Sequence, residues 1–231
     1  MIHIIIPSGG KGLRFGGDIP KQYLPIDSIP IVVKTILQFE QIPIVSKIHI
    51  AAEESFIPQF EQWKKDYSLT KLTTIIKGGT ERQLSIFEVL NHIEFVPDDI
   101  ILVHDAVRPF VSRKLIENII ASTIENGATI PTLALTDTIK RKNSSNIVEE
   151  TVDRSNLVSV QTPQGFTASI LLKAYEESMK ASYIGTDDSS LVERIGKNVL
   201  CIQGEATNIK ITTIEDIAKA EYILANSTNK F

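Results

Sequence analysis

The sequence predicts an α/β fold, a mostly parallel sheet with helices on its faces. Short β-branched runs alternate with longer stretches of helical period, and the first strand is an unbroken apolar run, as in strands covered on both sides. With 231 residues, 42% of them hydrophobic and 23% charged, the chain has the balance of an ordinary globular protein and the length for one substantial domain, taken here as residues 1–226.

The elements follow in order. Residues 2–7 open the sheet; no basic region precedes this run and no small-residue cleavage site follows it, so it reads as a strand and not as a signal peptide. Further strands are expected at 47–52, 72–77, 100–104 and 128–135. Phe56, Phe60, Trp63 and Tyr67 recur at helical spacing, as do Leu115, Ile116, Ile119, Ile120 and Ile124, and both stripes read as core-facing helix sides. The alternation stops after Leu135. Residues 136–160 are polar, with Asn143-Ser144-Ser145-Asn146 at the middle and β-prone flanks, which suits a protruding hairpin arm; a surface loop fits the same pattern. A two-stranded arm is marginal alone in water, and a second copy of the chain is the most economical surface for it to pack on. Helices at 167–181 and 187–195, strands at 199–203 and 208–212, and a closing helix complete the set. That last helix starts at a capping box with Thr212 as cap and Glu215 as partner, and the tail 227–231 is expected to fray.

Charge and composition exclude several classes. A net charge of −4 and a pI near 5.6 leave no global basic field for nucleic acid. No apolar stretch approaches the roughly 18 residues needed to span a bilayer. The single cysteine, Cys201, rules out an internal disulfide framework and a cysteine-based zinc site, and suits a soluble protein of the reducing cytoplasm.

Pro7-Ser8-Gly9-Gly10-Lys11-Gly12-Leu13-Arg14 follows the first strand directly. Glycines there let successive N–H groups converge on an anion, and Lys11, Arg14 and Lys21 add positive charge beside them, a combination that suits polyphosphate. It is neither a P-loop nor a dinucleotide loop: no G-x-x-x-x-G-K-[ST] run exists, Phe15 stands where the third glycine of G-x-G-x-x-G belongs, and the second strand lies too far on. A glycine-rich turn with incidental cations stays open at this point. The run 100–104 ends at His104-Asp105, and in open α/β sheets ligands lie beyond the carboxyl ends of the strands. Asp105 there suits Mg²⁺, which takes one or two carboxylates plus phosphate oxygens; an Asp that caps a helix or pairs with Arg108 fits equally. His104 reads as structural. Lys210, in an otherwise apolar late segment, reads in isolation as a side chain reaching out from an edge.

Taken in order, a set of motifs is similar to the 2-C-methyl-D-erythritol 4-phosphate cytidylyltransferase family of the non-mevalonate isoprenoid pathway. They are Gly9-Gly10-Lys11-Gly12-Leu13-Arg14, Pro20-Lys21-Gln22-Tyr23, Gly78-Gly79-Thr80-Glu81-Arg82-Gln83-Leu84-Ser85, His104-Asp105-Ala106-Val107-Arg108-Pro109, Asp137-Thr138-Ile139-Lys140, Val152-Asp153-Arg154-Ser155, Gln161-Thr162-Pro163-Gln164-Gly165-Phe166, Thr186-Asp187-Asp188 and Asn208-Ile209-Lys210-Ile211-Thr212. The resemblance runs from residue 6 to about 224 and implies a Rossmann-like nucleotidyltransferase fold with CTP and a small polyol phosphate as substrates. It implies a catalytic set of Arg14, Lys21, Arg154 and Lys210, with Arg14 and Lys21 at the α-phosphate and Mg²⁺ on Asp105. Ser8, Gly9, Gly79 and Ser85 would surround the cytosine, and Pro7, Gly10, Lys11, Gly12, Asp105 and Ala106 the rest of the nucleotide. Thr138, Arg154 and Lys210, with Arg108 and Thr162, would hold the acceptor, and a homodimer formed through the arm would carry Arg154 into the partner's site. Ribitol-5-phosphate cytidylyltransferase shares most of these motifs; Ala106 and the Asp153-Arg154-Ser155 run favour the methylerythritol enzyme. A nucleotide-sensing domain without catalysis is the reading from another class. Thr80 and Thr207 stand where many relatives carry Asp, and Ser8 where Ala is usual.

Overall fold

In the computed structural model, residues 1–10 and 19–226 are described; the expectations for Lys11, Gly12, Arg14 and the tail 227–231 fall outside them. Strand β1 (Ile2–Ser8) opens the fold, and a 3-10 turn (Lys21–Tyr23) leads into a short ribbon of β2 (Pro25–Ile26) and β3 (Ile29–Pro30). Then come α1 (Ile31–Glu40), β4 (Lys47–Ala52), α2 (Ile57–Asp66), β5 (Leu72–Lys77) and α3 (Arg82–His92). The second half holds β6 (Ile100–Val103), α4 (Arg113–Asn126), β7 (Ala128–Ala134), and the hairpin β8 (Ile139–Lys142) with β9 (Val148–Val152). It closes with β10 (Val158–Val160), β11 (Gln164–Thr167), α5 (Ala168–Lys180), α6 (Asp188–Arg194), β12 (Leu200–Gln203) and α7 (Ile214–Asn226).

The pairs β6–β1, β1–β4, β4–β5 and β7–β12 are parallel. Both β10 and β11 pair antiparallel with β7, and β11 also pairs antiparallel with β6. They are two pieces of one reversed strand, interrupted at Gln161-Thr162-Pro163, where the Thr162–Pro163 peptide is cis. The sheet is therefore mostly parallel with one reversed strand through its middle. Its apolar runs are explained by what lies on each side. Successive side chains of a strand point to opposite faces. Ile4, Ile6, Ile48, Ile50 and Leu102 pack with α1, α2 and α4, while Ile5, Ala51, Ile101, Val103 and Phe166 pack with α3, α5 and α6. A fully buried isoleucine contributes roughly 1.5–3 kcal/mol by leaving water, so two covered faces demand apolar residues at both parities. Capping fixes the helix ends locally: the Ser112 hydroxyl accepts the Leu115 N–H at the start of α4, and Gly127, with φ +81°, ends it.

Several expectations shift. Residues 208–212 form no strand; Asn208 N–H turns back to Glu205 O and Ile211 N–H reaches Val107 O, so the segment docks as a connection against the loop after β6. The last helix is capped one residue later than expected: Asp216, not Glu215, accepts the N–H groups of Thr212 and Thr213. The residues that end the expected arm, Val158–Val160, belong to the central sheet, because they continue the line of β11. Ile124 is 60% exposed and leaves the α4 stripe. Absent from the sequence reading were α1, α3, β11 and the β2–β3 ribbon.

Candidate active site

The carboxyl ends of β1, β4, β5 and β6 lie on one edge of the sheet, as their parallel registers require. Beyond β1, the buried Gln22 donates from Nε2 to Ser8 O at 3.0 Å and Gly10 O at 2.7 Å, and the Tyr23 hydroxyl donates to Ser8 O at 2.6 Å. Tyr23 is held in turn by stacking on Phe56 at 3.9 Å between centroids and edge-on contact with Phe60. The turn carrying Lys21 is thus fastened to the exit of the first strand by its own next two residues. Beyond β5, Gly78 and Gly79 pack against the start of α3. A Cβ on Gly79 would lie 2.5 Å from Leu84 Cβ and one on Gly78 2.9 Å from Ser85 Oγ, so only glycine admits this approach. Ser85 Oγ, 3.3 Å from where a Gly9 Cβ would stand, donates to Gly79 O and Glu81 O and links the two glycine segments.

Asp105 follows β6 directly and is 7% exposed. Its carboxylate faces three cations: Arg82 Nε at 3.2 Å, Lys210 Nζ at 3.0 Å and Arg108 Nε at 3.3 Å. Burial alone would raise this carboxyl, but Arg82, Lys210 and Arg108 outweigh it and hold it well below the usual carboxylate range. Arg108 moves down from its ordinary value because burial outweighs its attraction to Asp105. The backbone behind Asp105 is equally tied. Its N–H donates to the Thr162 hydroxyl, which in turn donates to His104 Nδ1 at 3.0 Å, leaving His104 Nε2 to donate to Arg108 O at 3.0 Å. His104 is fully buried, and burial pushes its pKa down to about 4, so the imidazole is neutral and structural. The reversed strand owes its interruption here: Gln161 donates to Glu205 O, and Asn208 Nδ2 donates to Thr162 O at 2.8 Å, so the break and the 205–210 connection lock together and carry Lys210 to the acid.

The structure brings Asp105, Arg108, Thr162 and Lys210 together, with Ala106 buried beside them, and gathers Ser8, Gly9, Gly79 and Ser85 along the same edge. Pro7 is half-buried near the end of β1 and Gly10 is exposed beyond it. Thr138 and Arg154 stand exposed at the base of the arm, where the Arg154 guanidinium donates to Thr136 O; no described hydrogen bond or ion pair joins them to Asp105. The sequence reading missed one group. Arg82, at the start of α3, also pairs through Nη2 with Asp188 at 2.8 Å, and Asp188 accepts the Tyr175 hydroxyl at 2.6 Å. Arg82 and Asp188 stand within quoted motifs, but nothing local to either says they meet. Burial would lower Arg82, and Asp188 and Asp105 reverse that and raise it. Among the described residues no group of three or more His, Cys, Asp or Glu side chains is arranged to hold a metal ion by itself. A single buried carboxylate does fit Mg²⁺, which completes its shell with phosphate oxygens and water.

Comparison with known proteins decides the family. The profile for 2-C-methyl-D-erythritol 4-phosphate cytidylyltransferase matches residues 2–226. The chain belongs to that family. A cytidylyltransferase of that description from Bacillus cereus is 42% identical over 224 residues, covering 97% of this chain and 98% of the relative. One from Geobacillus kaustophilus is 39% identical over 222 residues, covering 96% of each. The fold is similar to the 4-diphosphocytidyl-2C-methyl-D-erythritol synthase of Anaerococcus prevotii, with a TM-score of 0.83, 28% identity and coverage of 98% of this chain and 99% of that one. It is similar also to the Francisella tularensis 2-C-methyl-D-erythritol 4-phosphate cytidylyltransferase, with a TM-score of 0.81, 32% identity and coverage of 96% and 98%. Within this family the chain's Ser8 is accommodated by a 3.4 Å contact between its hydroxyl and that of Tyr23.

Proposed function

We propose that this chain transfers a cytidylyl group from CTP to 2-C-methyl-D-erythritol 4-phosphate and releases pyrophosphate. The observation that carries the reading is the meeting of Asp105 with Lys210 and Arg108 at the strand ends, beside the glycine segments, in a member of this family. A phosphate oxygen of the acceptor attacks the α-phosphorus of CTP; the new P–O bond forms as the bond to the bridging oxygen of pyrophosphate breaks. The nucleophile is already an anion, so no side chain has to remove a proton, which agrees with a neutral, walled-in His104. Repulsion between two polyanions is the main obstacle, and the cations answer it by positioning and neutralisation. Arg14 and Lys21 act at the α-phosphate, Lys210 and Arg108 at the acceptor, and the amides of the glycine segments at the nucleotide. Asp105 would hold Mg²⁺, which would supply further charge neutralisation when bound.

The arm serves a homodimer and carries Thr138 and Arg154 to the partner's acceptor subsite. What supports this is the exposure of Ile147, Val148, Leu157, Val158 and Val160 along and beside a ribbon that, among the described residues, pairs only with itself. In this reading residues 1–226 form one domain that works in the cytoplasm; no helix of the described residues is long and apolar enough to cross a membrane. The test offers the purified protein 2-C-methyl-D-erythritol 4-phosphate and ribitol 5-phosphate, each with CTP, UTP and ATP, and follows pyrophosphate. Turnover is expected with the methylerythritol acceptor and CTP. Preference for ribitol phosphate would reassign the acceptor, and no pyrophosphate from any pair would leave only a nucleotide-binding role.

A further inference from the structure

The two oxygens of Asp105 have different company. Lys210 Nζ, at 3.0 Å, and Arg108 Nε, at 3.3 Å, both lie on Oδ2, whereas Oδ1 is met by Arg82 Nε at 3.2 Å. Arg82 is itself anchored. Its Nη2 lies 2.8 Å from Asp188 Oδ2, and the other oxygen of Asp188 takes the Tyr175 hydroxyl at 2.6 Å. Asp188 and Tyr175 are each 1% exposed, so this end of the chain of contacts is set in the core between α5 and α6. Lys210 differs: its side chain is 44% exposed and comes from a segment without regular structure. A guanidinium presents its donors in a rigid planar fork, while an ammonium is a single charge on a flexible stem. Arg108 is anchored too, donating from Nη1 to Asn208 O at 2.7 Å with its side chain 10% exposed. Of the contacts on Asp105, those from the two guanidiniums therefore fix orientation, Arg82 being the one on Oδ1, and the one from Lys210 is readily exchanged.

We propose that Arg82 is a positioning residue for the divalent cation: held by Asp188 and Tyr175, it pins Oδ1 of Asp105 and leaves Oδ2 as the oxygen presented to the metal, in exchange for Lys210. This rests on the cytidylyltransferase reading above. A carboxylate whose orientation is not held loses metal affinity, and removal of such outer partners typically costs about 10–100-fold.

The experiment uses the full chain with CTP and Mn²⁺ as the probe, reading free Mn²⁺ by electron paramagnetic resonance and folding by thermal melting without metal. For Arg82→Gln the half-saturating Mn²⁺ concentration is expected to rise about tenfold. Arg82→Lys, which keeps the charge but can hold only one carboxylate, falls between it and the unaltered protein. Tyr175→Phe removes one hydrogen bond to the anchoring Asp188 carboxylate, one step away from the guanidinium, and is expected to shift the value about threefold. A folded Arg82→Gln protein with unchanged half-saturation overturns the proposal, as does a fall in melting temperature alone. If Arg82→Gln does not fold, Tyr175→Phe decides, and an unchanged value sinks the idea. Failure of the unaltered protein to bind Mn²⁺ with CTP or to release pyrophosphate would end the functional reading as well, which separates the two failures.

Discussion

The surroundings of Asp105 and the β8–β9 arm are built on opposite principles. Around Asp105 most partners come from distant parts of the chain: Arg82 from α3, Lys210 from the connection before α7, and the Thr162 hydroxyl from the break in the reversed strand. Among the described residues the β8–β9 ribbon pairs only with itself; its strands are largely exposed, and its contacts are local, such as Asn143 Oδ1 accepting from Ser145 N–H and Ile147 N–H at the tip. One region is completed by its own chain and the other is left open. A two-stranded ribbon is marginal alone in water, and exposed Ile147 and Val148 make the arm the region that supports the proposed packing on a second copy.

Substitutions at the two regions should therefore fail differently. The largest effect follows from the proposed mechanism at the strand-end edge: Lys21→Ala lowers kcat by about 10²–10³, the usual loss for one preorganised donor, with an unchanged melting temperature. Near-normal turnover would remove Lys21 from the mechanism. At the arm, Arg154→Ala removes an exposed cation and costs roughly 10–100-fold in kcat/KM for the acceptor, the range of a charge-assisted hydrogen bond, while CTP binding stays as before. Mixing Arg154→Ala with Lys21→Ala subunits should restore part of the activity, since one pairing then contains an intact site. Complete failure to complement would refute action across a dimer.

The smallest effect concerns pH and separates buried from open polar groups. His49 lies against His3, with Nε2 and Nδ1 of the two rings 3.0 Å apart, and Phe95 edges both rings; Asp99 faces His3, and Lys47 adds a further positive charge. Burial, then His3 and Lys47, push the His49 pKa down to about 3. A folded value below the unfolded one of about 6.5 means the unfolded chain takes up the proton first. Stability from this group is fully present above about pH 6.5 and falls by about 1.4 kcal/mol per pH unit as the solution is acidified below that. His49→Gln, which does not titrate, should flatten denaturant-measured stability against pH by that slope between about pH 6 and 4.5. An arm substitution such as Val148→Thr should leave the slope untouched, and equal slopes in all three proteins would show that His49 is not buried neutral.

Much of this was legible in the residues before any fold was known. The strands β1, β4, β5, β6 and β7 announce themselves through apolar runs, and α4 through the periodic stripe Leu115, Ile116, Ile119 and Ile120. Asp105 stood out because it ends such a run. Other features were not legible, for identifiable reasons. Gln164–Thr167 reads as a polar motif because Gly165 and Gln164 serve tight packing and a hydrogen bond to Asp187, yet it fills the middle of the sheet. Residues 208–212 look like a strand because Ile209 and Ile211 alternate with polar neighbours, but both pack against a small core of their own near α7. Arg82 gave no local sign of its role at all.

By itself the sequence determined the strands β1, β4, β5, β6 and β7 and the helices α2, α4 and α5 to within a residue or two, and the expectation that a glycine-rich exit and a strand-end acid belong to one edge. Periodicity, caps and turns act over a few residues, so neighbours along the chain suffice to express them. Only the tertiary structure decided that the strand after the arm runs backwards between β6 and β7, and that Lys210, Arg82 and Asp188 gather around Asp105. Ion pairs depend on separations of a few ångströms between residues far apart in the chain, and that closeness exists only once both faces of the sheet have been covered.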